Sequence, residues 1–115
     1  MNIPTVSING TEYTLDTTLR VAYQVQGMNN HRPYSKVFEE LGDMTLEKQI
    51  EILYVAFRIA NPEIAKTLTQ IAFFNYYLEH FNLKEVMSQL KTVIKGVLGE
   101  EDEDAPEETP ETQGN

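Results

Sequence analysis

Catalysis and metal binding need particular side chains at particular spacings, and this sequence offers few. Its only histidines are His31 and His80. Neither has a second nitrogen or carboxylate ligand at helical metal spacing, and Glu79-His80 is not an HExxH pattern, so no metal site is expected. Ser7, Ser35 and Ser88 lack the flanking glycines of a nucleophile elbow, and no GxxxxGK[ST] or GxGxxG stretch is present to cradle a phosphate. The absence of cysteine removes thiolate nucleophiles, disulfides and Cys-based zinc sites together. Glu39-Glu40 and the C-terminal acids would suit acid/base or calcium chemistry only if held at a fixed separation. The EF-hand ligand pattern is absent, and adjacent carboxylates in a mobile segment read as a solvated charge run. The expectation is a chain with no catalytic residue, no cofactor and no metal, whose work is binding.

Charge narrows what it binds. The formal net charge is −9, yet eight of the eighteen acids fall between Glu100 and Glu111, where there is no Lys or Arg. Ten acids then face nine bases in the rest of the chain, a net of −1. A nearly neutral body with an anionic tail lacks the basic face that phosphate neutralisation requires, so neither nucleic acid nor an anionic membrane is an expected partner. The start, Met-Asn-Ile-Pro-Thr, has no basic and apolar signal pattern, and the longest apolar-looking run, Ile71 to Leu78, is far short of the roughly 20 residues that span a bilayer. A cytoplasmic protein is expected.

The elements that must carry a binding surface are legible as follows. Thr5 to Leu15 alternates Val6 and Ile8 with polar residues, then Tyr13 and Leu15, around Asn9-Gly10, the pair that supplies both positive-φ positions of a type I′ turn. This predicts a β-hairpin whose apolar face must be covered by helices or by strands from another chain. Asp16 is placed to cap a helix with Leu19, Ala22, Tyr23 and Gln26 on one face and Gly27 as its stop. Pro33 opens a short helix with Val37, Phe38 and Leu41 inward and Gly42 ending it. Asp43 or Thr45 caps the next, where Leu46, Ile50, Leu53, Phe57 and Ala60 form a seam and Ile52, Val55 and Ile59 a second stripe. Asn61-Pro62 breaks it. Pro62 to Phe81 reads as two helical pieces with a capping-box spacing at Thr67 to Gln70, and with Ile71, Phe74, Leu78 and Phe81 along one face. Asn82 caps a last helix that Gly99 ends. Beyond it, Glu100 to Asn115 has no large apolar residue to offset the entropy of ordering, so a disordered tail is expected. The fold class is mainly α with a small N-terminal β-hairpin (α+β), as one helical domain over 1–99 followed by an acidic tail over 100–115.

Two features exceed what one small core needs. Ile52, Val55 and Ile59 make the central helix apolar on a second side, and Phe73, Tyr76 and Tyr77 put aromatics on a second face of the next. These six are the expected partner-binding residues, on the argument that surplus apolar surface marks an interface.

The Ile8-Asn9-Gly10 hairpin, the helix ending Ile59-Ala60-Asn61-Pro62-Glu63, the run Tyr77-Leu78-Glu79-His80-Phe81-Asn82-Leu83-Lys84-Glu85-Val86-Met87 and the acidic tail together resemble the tail assembly chaperones of long-tailed, siphovirus-type phages and prophages of Gram-positive bacteria. The likeness spans most of the body and rests on helix caps and packing patterns without a catalytic signature. It implies a small helical protein that binds the tape-measure protein during assembly, with the major tail protein as a second candidate partner, and that is absent from the finished virion. Members often have a longer form made by a programmed frameshift; this chain would be the short form. Many copies along one tape measure would make a homo-oligomer plausible. The competing reading is an acidic regulator or inhibitor that mimics nucleic acid or blocks a basic protein surface with its tail.

Overall fold

A computed structural model describes residues 4–28, 33–40 and 43–100. Expectations placed on His31, the Val37 side chain, Leu41, Gly42 and the tail over 101–115 lie outside the described residues. The chain is mainly helical, with an N-terminal two-stranded antiparallel hairpin.

Strands β1 (Thr5–Ile8) and β2 (Thr11–Thr14) pair in the register Val6 to Tyr13 and Ile8 to Thr11. Asn9 and Gly10 take φ of 53° and 83°, the paired positive values that match the twist of the flanking strands. Val6, Ile8 and Leu15 are buried. Helices supply the cover that two strands need: the Asp16 N–H donates to the Ala56 carbonyl at 3.0 Å, and Asn61 Nδ2 donates to the Thr14 carbonyl at 2.8 Å. At the other end of the hairpin, the Asn9 N–H donates to Tyr76 Oη at 3.1 Å.

Helix α1 (Leu19–Met28) starts two residues later than a cap at Asp16 would place it. Thr18 Oγ1 accepts from the Arg20 N–H, while Asp16 Oδ1 accepts from the Thr18 N–H and hydroxyl, so Thr18 caps and Asp16 braces the cap. Gly27 lies inside the helix instead of stopping it. The inward face is Val21, Ala22 and Val25, and the expected inward residues Leu19 and Tyr23 are exposed. Val21, Ala22 and Val25 share one side of the helix at 3.6-residue spacing, and Leu19 and Tyr23 project from the other.

After α2 (Tyr34–Glu39), which buries Phe38, comes α3 (Leu46–Ala60). Thr45 is its cap, accepting from the Lys48 N–H at 3.1 Å, and Asn61 closes it. α3 lies at the centre of the fold, with α1, α4 and α5 packed around it. A 3-10 turn (Ile64–Lys66) leads to α4 (Gln70–His80), capped by Thr69 and not Thr67. Asn82 and Glu85 then form a complete capping box at the start of α5 (Leu83–Leu98), which ends at Gly99 in the left-handed conformation. Near that end α5 passes so close to the loop before α1 that a Cβ on Gly96 would sit 2.7 Å from the Thr17 Cβ. Among the described residues, no helix is long and apolar enough to cross a membrane.

Candidate functional site

The six expected partner-binding residues do not form a surface. Ile52, Val55, Phe73 and Tyr77 are fully buried, and Ile59 and Tyr76 are half-buried against the same core. This corrects the expectation, and the cause differs for the two helices. Because neighbours surround α3, both of its apolar stripes are consumed by the core, and its second stripe is a mark of centrality. On α4 the aromatic face is the inward one, because large rings fill the space against α3. Phe73 sits 5.0 Å from the Tyr54 ring and 5.1 Å from the Phe57 ring, and Tyr77 continues the stack at 4.8 Å from Phe73. Edge-to-face and tilted rings at these separations are favourable beyond their buried area. The Tyr77 hydroxyl meets its polar requirement by donating to Gln89 Oε1 on α5. Burial pushes the Tyr77 phenol above its ordinary pKa. Tyr76 holds the hairpin turn through Asn9 and stacks on His80 at 4.2 Å.

With the aromatics inward, the other apolar face of α4 turns outward at Ile71 and Leu78. Ile71 is 74% exposed, Leu78 49% and, at the start of α5, Leu83 67%. Phe74 and Phe81 are half-buried between these and the interior. Two shallow grooves run beside this stripe. The first, about 350 Å³, lies between α3 and the start of α4, with Ile50, Tyr54, Ile71 and Phe74 as its apolar lining and Glu47, Glu51 and Gln70 among its polar groups. The second, about 310 Å³, is lined by Leu46, Ile50, Leu78, Phe81, Leu83 and Val86, with Tyr77 and Asn82. Ile50 belongs to both, so they adjoin.

Around the first groove Lys48 Nζ pairs with Glu51 Oε1 at 2.9 Å, and Gln70 Nε2 donates to Glu51 Oε2 at 3.3 Å. The Tyr54 hydroxyl is turned away from solvent chemistry by donating to the Leu68 carbonyl at 3.0 Å. Among the described residues no three His, Asp or Glu side chains come together in a way that could hold a metal ion. What this face can do is bury apolar side chains of another molecule.

The exposed face was missed because α4 is apolar nearly all round: from Gln70 to Glu79 its single fixed charge is Glu79. That paucity of charge was the available signal that one side of this helix would leave apolar residues exposed. It could not say which side faced out. Compared with protein-family models, curated proteins and solved structures, the chain gives no significant match.

Proposed function

We propose that this chain is a binding protein that covers apolar helical segments of a protein partner, and that it acts as a phage tail assembly chaperone on the tape-measure protein in the host cytoplasm. The observation that carries the reading is the outward aliphatic stripe of α4, Ile71 and Leu78, continued by Leu83 and backed by adjoining apolar grooves. Burying a Leu or Ile side chain contributes roughly 1.5 to 3 kcal/mol when fully removed from water, so three partly exposed ones supply a useful share of a reversible association. Reversibility suits a chaperone that must leave. A long helical client with unsatisfied apolar stripes aggregates before its tube surrounds it, and a groove that accepts such stripes prevents this. The family role itself rests on the sequence resemblance.

The test is co-purification of the full chain with a helical tape-measure fragment, using the wild type, Ile71→Asp and Leu78→Asp. Binding that survives both substitutions removes the basis for this face. A full-length chain whose acids from Glu100 to Glu111 are changed to their amides keeps binding under this reading; loss of binding on that change supports the acidic-blocker alternative instead.

A further inference from the structure

The two halves of the exposed face differ in charge, and the difference selects a partner. The groove beside Leu78 and Leu83 has no charged residue in its lining. The groove beside Ile71 has two, Glu47 and Glu51, both acidic and one helical turn apart on the same side of α3. Lys48 pairs with Glu51, while Glu47 is exposed and makes no ion pair among the described residues. Resting on the reading above and sharpening it, we infer that the occupant is an amphipathic helix carrying a Lys or Arg beside one end of its apolar stripe. The cation meets Glu47 and Glu51, and the uncharged end of the stripe lies over Leu78 and Leu83, so the charge fixes the direction in which the helix lies.

Two other occupants fit worse. The chain's own C-terminal stretch from Glu100 has eight acids and no large apolar residue, so it offers nothing to the grooves and brings like charge to Glu47. A second copy docking through α4 brings a helix with no Lys or Arg between Gln70 and His80. An aliphatic cationic side chain is the complement, because its stem covers apolar surface while its tip reaches a carboxylate.

The experiment measures binding of the full chain to three synthetic helical peptides that share one Leu/Phe stripe and differ at a single end position, Lys, Gln or Glu. The wild type is expected to bind the Lys peptide about two- to fivefold more tightly than the Gln peptide, the range of a rim ion pair, and the Glu peptide more weakly still. The preference shrinks as salt rises. In Glu47→Gln, which leaves the Lys48–Glu51 pair intact, the affinities of the three peptides move toward one another. If all three bind the wild type equally but Ile71→Asp abolishes binding, the charge inference is overturned while the helical docking face stands. If none binds, or if Ile71→Asp changes nothing, both fall. Concentration-dependent dimerisation abolished by Ile71→Asp would also overturn the inference, by making a second copy the occupant.

Discussion

Helices α3 and α4 are both apolar around most of their circumference, yet only α4 leaves a broad apolar side in water. On α3, the seam residues Ile50, Leu53 and Phe57 and the second stripe Ile52 and Val55 are all buried. On α4, Phe73 and Tyr77 are buried while Ile71 and Leu78 are not. The sequences do not predict this contrast; position does. α3 has packed neighbours on several sides, whereas α4 lies in an outer layer and has one side covered. An apolar stripe therefore stays in contact with water only on a helix that the core cannot surround.

The contrast can be broken or sharpened by substitution. The largest effect is expected at Phe73: Phe73→Ala leaves a cavity among Tyr54, Phe57 and Tyr77 and costs about 3 to 5 kcal/mol in denaturant unfolding. A value below about 1 kcal/mol would mean the aromatic face is not core. Ile52→Ala follows at about 2 to 5 kcal/mol, whereas Ile71→Ala should stay within about 0.5 kcal/mol, and equal losses would erase the distinction between the helices.

Tyr77→Phe removes the donor to Gln89 and should cost about 1 kcal/mol at neutral pH. It also changes the pH profile. Burial raises the Tyr77 pKa in the folded state above its value in the unfolded chain, so the unfolded chain releases the proton first as pH rises. That contribution is complete below pH of about 10 and is lost progressively above it, so wild-type stability should fall more steeply there than that of Tyr77→Phe. Parallel curves would contradict the burial.

Tyr76→Phe, which frees the Asn9 N–H at the hairpin turn, is expected to cost about 0.5 kcal/mol. Faster amide exchange at Asn9 would report it. Smallest in stability is Leu78→Ser, within about 0.5 kcal/mol by thermal melting, although it should weaken partner binding. A large loss of stability would return Leu78 to the core.

Much of the architecture was legible because its determinants are local. Asn9-Gly10 specifies the turn, Asn82 with Glu85 the start of α5, Thr45 the start of α3, and Asn61-Pro62 its end. Each signal acts over three or four residues of backbone hydrogen bonding. Between Asp43 and Thr45, Thr45 took the cap, and the caps expected at Asp16 and Thr67 fell to Thr18 and Thr69, whose side chains reach the N–H of the second or third helical residue. The candidate site was less legible. The six residues chosen for excess apolarity are those the core uses, whereas Ile71, Leu78 and Leu83 were not among the residues expected to bind a partner.

By itself the sequence determined the element order, the caps of α3 and α5, the absence of cysteine and the concentration of acid at the C-terminal end, since these depend on residue identity and short spacing. Only the tertiary structure decided which side of α1 and α4 faces inward. A helix with apolar residues all round has no preferred side until neighbours arrive, and the neighbour here is the ring pair of Tyr54 and Phe57 on α3, which packs against Phe73 with Tyr77 beside it and leaves Ile71 and Leu78 on the outside.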